Sequence, residues 1–240
     1  MLLFLEDKMK FPKSIVKYFS AGEILLWSLS VFLIAVSFCI FDRSHYLTLA
    51  ASLIGVTSLI FNAKGNPIGQ VLMIAFSLLY GYISFRFTYY GEMLTYVCMT
   101  MPMAVFALIS WLRHPYKGNS AEVQVGRLKK GEPILMWTAA AVVTLIFFFI
   151  LRAFDTKNIL PSTISVTTSF LAVYLTFRRS PFYAIGYAAN DIVLLVLWTL
   201  AAMENISYLS MIVCFAAFLA NDIYGFISWR KMAKRQAANE

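Results

Sequence analysis

An all-α bundle of eight membrane-crossing helices, ordered 1+3+1+3 as two parallel three-helix repeats plus two added helices, is the fold class this sequence predicts. Three observations predict it. Apolar residues fill 60% of the 240 positions and charged residues only 13%, about half the charged share of a soluble domain. Eight apolar runs are long enough to cross roughly 30 Å of hydrocarbon. The ends of these runs also repeat in sequence, so the chain reads as a duplication.

The runs fall at about 24–41, 45–62, 67–88, 92–112, 134–152, 159–177, 181–203 and 206–229. Before the first, Met1 to Leu5 is too short for a signal-peptide core, which predicts that no leader is cleaved. Residues 11–19 set Phe11, Ile15, Val16 and Phe19 against Lys13 and Lys17. That pattern suits either an amphipathic lead-in in the headgroup plane or a solvated tail.

Spans 4 and 8 carry the repeat signal. One ends Ile109-Ser110-Trp111 before Arg113, the other Ile227-Ser228-Trp229 before Arg230. Span 3 opens on Pro67 after Lys64-Gly65-Asn66, and span 7 on Pro181 after Arg178-Arg179-Ser180. The distance from proline to tryptophan differs between the copies by about one helical turn. Two three-helix units result, residues 45–112 and 159–229. Because three is odd, span 5 is needed between them to restore the same orientation, which makes the units parallel. The predicted organisation is an N-terminal segment with an extra span (1–44), repeat 1 (45–112), a basic loop and linker span (113–158), repeat 2 (159–229) and a basic tail (230–240). Pro102, in the middle of span 4, predicts a kink that neighbouring helices accommodate.

The net charge of +8 does not point to nucleic acid, because of where the charge lies. With alternating spans and a cytoplasmic N-terminus, only Arg43, Arg86, Arg152 and Lys157 of the 20 basic residues fall outside. The positive-inside rule then puts both termini in the cytoplasm, with the basic loops against anionic lipid of the bilayer. Trp27, Trp111, Trp137 and Trp229 fall at the inner interface and Trp198 near the outer one, so each is expected in an aromatic belt. Cys39, Cys98 and Cys214 lack metal-ligand spacing, and His45 and His114 sit at span ends. No metal site, haem or other cofactor is expected.

Chemistry concentrates in the last two spans. Ala189-Asn190-Asp191-Ile192 and Ala220-Asn221-Asp222-Ile223 are copies of one tetrapeptide, and Asp191 and Asp222 are the carboxylates in the middle of predicted spans. Each costs roughly 2.5–3.5 kcal/mol on insertion scales. From Pro181 outward and from Arg230 inward, Asn190 and Asn221 lie at matching depth, about 13–14 Å from the cytoplasmic end. Tyr183, Tyr187, Asn190, Asp191 and Trp198 share one face of span 7. Span 6 adds the Ser/Thr-rich stretch Ser162–Ser169, and span 3 adds Gln70 and Tyr80. Asparagines offer donors and acceptors for hydroxyls or a carboxamide, while aromatic faces stack on a ring and attract a cation. A small molecule with a ring, a sugar and a positive charge suits such a pocket. Helix cross-linking is the alternative use of the same Asn and Asp residues.

These residues carry a resemblance. The parallel repeat, the basic turn before Pro181 and the Ala-Asn-Asp-Ile helix with its partner Asn in the last span resemble the PnuC vitamin transporters, themselves similar in fold to the SWEET sugar transporters. The likeness covers about 45–230. It implies facilitated uptake of nicotinamide riboside through a bacterial inner membrane, trapping by a separate cytoplasmic kinase, and assembly into homo-oligomers, as trimers. It further implies that Asn190 and Asn221 hold the ribose or carboxamide and that aromatics flank the pyridinium ring. Pro67 is followed by Ile68-Gly69-Gln70, so the Pro-Gln hinge pair of the sugar transporters is missing. The substrate-binding set is Asn190, Asn221, Tyr187, Asp191, Asp222, Gln70 and Trp198, with no catalytic residue. Thiamine and riboflavin are the alternative cargoes. Proton-coupled uptake through Asp191 or Asp222 is an alternative mechanism. A carboxylate pair can also activate water, which keeps an intramembrane aspartyl-type enzyme as a distant alternative, although no Gly-x-Gly-Asp motif precedes either aspartate.

Overall fold

The computed structural model describes residues 18–156 and 158–239. The possible lead-in at 11–19 therefore lies, except for its last two residues, outside the described residues. Among the described residues, eight helical segments are long and apolar enough to cross a membrane. They are α1 (Ala21–Phe41), α2 (Tyr46–Ala63), α3 (Ile68–Arg86), a composite fourth span, α6 (Glu132–Ala153), α7 (Ile159–Phe177), α8 (Tyr183–Glu204) and α9 (Leu209–Ala238). The fourth span is α4 (Tyr90–Leu94), a π-helical stretch Thr95–Thr100, and α5 (Met101–Arg113). A short antiparallel hairpin, β1 (Pro115–Tyr116) and β2 (Asn119–Val123), follows α5.

Helix packing closes a ring. α2 packs on α3, α3 on α5, α5 on α7, α7 on α8, α8 on α9, and α9 returns to α2. α1 sits outside the ring against α2 and α9, and α6 sits outside against α7. The two outer helices show large apolar side chains on their surfaces, among them Leu25, Phe32, Ile134, Leu145 and Phe149, as lipid-facing helices do. Ring interfaces instead carry small residues. A Cβ on Gly186 of α8 would lie 2.8 Å from the Ala172 Cα of α7, so glycine there lets the two backbones approach.

Local sequence explains where the helices start and bend. Ser20 and Glu23 form a reciprocal capping box at the start of α1, which satisfies two otherwise orphaned N–H groups. Glu23 also accepts from Lys64 and Tyr224, tying α1 to α2 and α9. In the fourth span, Pro102 supplies no N–H to the turn before it. The π-helical stretch Thr95–Thr100 immediately precedes it, so the irregularity expected at Pro102 is a local widening of the helix.

One end of the bundle contains two corners with the same hydrogen-bond pattern. After α2, Gly65 adopts φ +67° and after α7 Arg179 adopts φ +56°. Gly65 N–H donates to Asn62 O at 2.9 Å and Arg179 N–H to Thr176 O at 2.9 Å. The next residues donate likewise, Asn66 to Phe61 O and Ser180 to Leu175 O. The segment after the hairpin then donates to both corners, from Val123 to Gly65 O and from Gly126 to Arg179 O. Glycine is at ease with a positive φ; for Arg179 it costs on the order of 1–2 kcal/mol. Burial beside Arg178 also lowers the Arg179 guanidinium from its ordinary value.

The Ser-Trp dipeptides at the ends of spans 4 and 8 complete this end of the molecule. Ser110 and Trp111 donate to the carbonyls of Phe177 and Thr176, while Ser228 and Trp229 donate to those of Ala63 and Asn62. Trp111 and Trp229 are thus buried rather than placed in an aromatic belt, and so is Trp198. Trp137 is exposed, as a belt residue would be. The basic tail is also more ordered than a tail. α9 runs past Trp229 to Ala238, where buried Gln236 accepts from Val125 N–H and donates to Glu122 and Val123 O.

Candidate functional site

Asn190 and Asn221 are each held by one half of the side-chain amide. The Oδ1 of Asn190 receives hydroxyl contacts from Ser165, Thr168 and Ser169 at 3.3, 2.9 and 2.9 Å. All three come from the Ser/Thr stretch of α7, one helical register across from α8. No described residue takes the Nδ2 protons of Asn190. Asn221 is held the opposite way. Its Nδ2 donates to Ser30 Oγ of α1 at 2.9 Å and to Ala217 O at 2.8 Å, and its Oδ1 is buried without a partner. The carbonyl of Ala217 can only accept, which fixes the orientation of this amide. Both asparagines cross-link helices, and each keeps its other half unspent. Asn221 keeps an acceptor, while the contacts of Asn190 are all to hydroxyls, which donate or accept, so its amide can turn either end toward a ligand.

Asp191 and Asp222 face one another within hydrogen-bonding reach, and one oxygen of Asp191 has no partner. A hydrogen bond between two carboxyl groups requires a proton on one of them. Tyr187 lies within electrostatic reach of both, and its ring meets that of Tyr183 edge-on at 6.1 Å. Tyr183 is itself buried against Trp229 and Gly225.

Trp198 lies further along α8 and joins opposite sides of the ring. Its Nε1 donates to Tyr80 Oη of α3 at 3.0 Å. Tyr80 packs against Tyr96 in a tilted pair, with centroids 4.5 Å apart, and Tyr89 and Tyr208 flank the indole. Trp198 is therefore walled in by aromatics. Gln70 is engaged elsewhere, since its Nε2 donates to Asn62 Oδ1 at 2.8 Å and so pins α3 to α2. Asn190, Asp191, Asp222 and Tyr187 are thus brought together, Asn221 adjoins Asp222 on α9, Trp198 belongs to the aromatic wall, and Gln70 stands in its own network.

Glu92 escaped the sequence reading. It sits two residues inside α4, near a span end, where a carboxylate is unremarkable in sequence. In the structure it is 1% exposed and neither oxygen has a hydrogen bond of good geometry. The Ser165 hydroxyl lies within reach of it, the same residue that touches Asn190. Tyr80 and Tyr96 lie within electrostatic reach of it. The adjacent Gly91, packed against Leu151 and Thr156, is the signal in the sequence that could have marked this turn as tightly enclosed.

Comparison with known proteins adds an independent line. The family model described as nicotinamide mononucleotide transporter matches residues 45–231, that is, the ring and α6 without α1. A nicotinamide riboside transporter PnuC of Neisseria mucosa is 25% identical over 203 residues, covering 82% of this chain and 77% of the relative. One of Haemophilus influenzae is 22% identical over 198 residues, covering 79% and 81%. The solved structure described as the vitamin B3 transporter PnuC superposes with a TM-score of 0.80 at 22% identity, over 98% of this chain and 99% of that one, which shows a shared fold.

Proposed function

The chain belongs to the nicotinamide mononucleotide transporter family, and on that premise we propose that it carries nicotinamide riboside, held between Asn190 and Asn221. The observation that carries the reading is the pair of half-spent amides. A carboxamide offers one carbonyl and one NH₂; Asn221 presents a free acceptor to the NH₂, and Asn190, held only by hydroxyls that donate or accept, can turn its own NH₂ to the carbonyl, so one planar amide matches both. Hydroxyls of a ribose would match the same groups singly. Tyr187 stacks on the ring, Asp191 and Asp222 hold the asparagine pair and complement positive charge, and Trp198 closes the aromatic wall beyond it.

The family's name and the relatives' names differ by a phosphate, and the interior favours the ligand without one. The buried carboxylates among the described residues are Glu23, Asp42, Glu92, Asp191 and Asp222, and no Lys, Arg or His is buried with them. Glu23 and Asp42 are paired with Lys64 and His45 toward the ends of the bundle, so a phosphate taken beside Glu92, Asp191 and Asp222 would meet like charge. A pyridinium riboside, which is a cation, meets the opposite sign. Thiamine is also a cation but has no carboxamide, and riboflavin is uncharged, so both fit the two asparagines less well.

Movement follows from the two units. Residues 45–112 and 159–229 act as parallel repeats that rock about the site, exposing it to each side in turn. The reciprocal Ser-Trp bonds and matching corners support that division. The end that carries them also carries Lys64, Arg178, Arg179, Arg230 and the chain's C-terminal helix, which supports placing it and both termini in the cytoplasm of a bacterium. Phosphorylation of the riboside there by a separate kinase traps it. Assembly is as a homotrimer. The facing Asp191 and Asp222 favour one second reading, in which a proton travels with the cargo.

Calorimetric titration of detergent-solubilised protein with nicotinamide riboside, nicotinamide mononucleotide, thiamine, riboflavin and a hexose tests the cargo. Saturable binding of the riboside, with the mononucleotide weaker, is the expected result. A protein that prefers the mononucleotide or thiamine overturns the assignment.

A further inference from the structure

We infer that Glu92 is the counter-charge that selects a positively charged ring, forming with Tyr80 and Tyr96 a cation subsite beside the Asn190–Asn221 pair. The inference rests on the riboside reading and deepens it.

Three observations lead there. First, every other buried carboxylate among the described residues is accounted for. Glu23 has Lys64, Asp42 has His45, and Asp191 and Asp222 have each other. Among the buried carboxylates of the described residues, Glu92 alone has both oxygens without a hydrogen bond of good geometry. A carboxylate enclosed in a membrane protein with a hydroxyl but no cation within reach is expensive, and its cost is relieved when a cation arrives. Second, the side chains around it are those that favour a cation. Tyr80 and Tyr96 both lie within electrostatic reach of the carboxylate, their rings 4.5 Å apart, and aromatic faces attract organic cations in desolvated sites. Third, the subsite is continuous with the amide pair. Ser165 links Glu92 to Asn190, and Tyr96 lies within electrostatic reach of both Glu92 and Asp191. One ligand can therefore present its carboxamide to the asparagines and its charged ring to Glu92.

The unwound helix beneath supports the assignment. Glu92 leads directly into the π-helical stretch Thr95–Thr100, and Thr95 Oγ1 is also buried without a partner. π-helical segments recur at functional sites, where they turn side chains away from regular register.

The test compares two ligands that differ in charge but share ribose and carboxamide: nicotinamide riboside, a cation, and its dihydropyridine form, which is uncharged. Wild-type protein is expected to prefer the cation. Glu92→Gln should weaken the cation by roughly 30-fold or more and leave the uncharged form within about twofold. Equal weakening of both ligands would make Glu92 a structural residue and overturn the inference, as would no change in either. Should Glu92→Gln not give monodisperse protein, Glu92→Asp replaces it. The shortened carboxylate is expected to narrow the preference for the cation several-fold, and an unchanged preference overturns the inference. If wild-type protein binds neither ligand, the cargo reading fails, a result distinct from equal affinity for the two, which sinks only the role of Glu92.

Discussion

The indole rings of Trp111 and Trp229 meet 5.4 Å apart, each having reached across the bundle to a helix of the other half. Trp111 donates to Thr176 O on α7 and Trp229 to Asn62 O on α2. Two strands of contact therefore cross at one point, and opening that end of the ring must break both. Phenylalanine at either position keeps most of the ring and removes the donor, leaving a buried carbonyl short of a bond. The expected cost is about 1–3 kcal/mol for each. Because the rings touch, Trp111→Phe with Trp229→Phe should cost less than the two single changes added together. Apparent unfolding temperatures of the solubilised variants measure this. Additive losses would mean that the two bonds act separately.

Asn221 is oriented by Ser30, which lies on α1, outside the part of the chain that the family shares. Without that hydroxyl the Nδ2 is held by Ala217 O alone, so the amide keeps its sense but loses one of the two bonds that hold it in place. Ser30→Ala is expected to weaken riboside binding by about 5- to 10-fold, the worth of one neutral hydrogen bond, with no loss of expression. Asn221→Leu should abolish binding. Normal affinity in Ser30→Ala would show that α1 does not tune the site.

The Asp191–Asp222 pair separates facilitated from proton-coupled uptake. If the pair only braces the site, Asp191→Asn retains uptake within a few-fold, because an amide can replace the protonated partner. Uptake into proteoliposomes should then ignore an imposed pH gradient. Uptake that follows the gradient in the wild type, and loses that response in Asp191→Asn, establishes coupling instead.

Much of this was legible in the sequence because a membrane restricts the options. Apolar runs locate the spans, and an intramembrane carboxylate such as Asp191 is conspicuous against them. The repeated Ser-Trp dipeptides are legible there too, and each places its two donors on carbonyls of a distant helix. Other features were hidden for physical reasons. Trp111 and Trp229 sit at span ends, where composition alone suggests an aromatic belt, yet each finds a buried carbonyl contributed by a distant helix. Gln70 looks available until Asn62 is seen to occupy it. Glu92 sits near a span end in the sequence, and only the packing of Gly91, Tyr80 and Ser165 reveals that it is enclosed. Partners distant in the chain decide these cases.

Gly186 sets how closely α8 can approach the hydroxyls that hold Asn190. It precedes Asn190 by four residues and so lies on the same face one turn away. A Cβ there would stand 2.8 Å from Ala172 Cα and 3.0 Å from Ala172 N, contacts with backbone that no rotamer relieves. Gly186→Ala must therefore push α8 and α7 apart. The shift lengthens the contacts from Ser165, Thr168 and Ser169 to Asn190 Oδ1, which are already 2.9–3.3 Å. Overpacking of this kind costs about 1–3 kcal/mol, even though alanine is the better helix former. The variant is expected to lower both the unfolding temperature and riboside affinity. Ala172→Gly in the same chain removes the methyl 3.1 Å from the new Cβ but leaves the backbone clash, so rescue should be partial. Full affinity in Gly186→Ala alone would show that the position of Asn190 does not depend on this close approach.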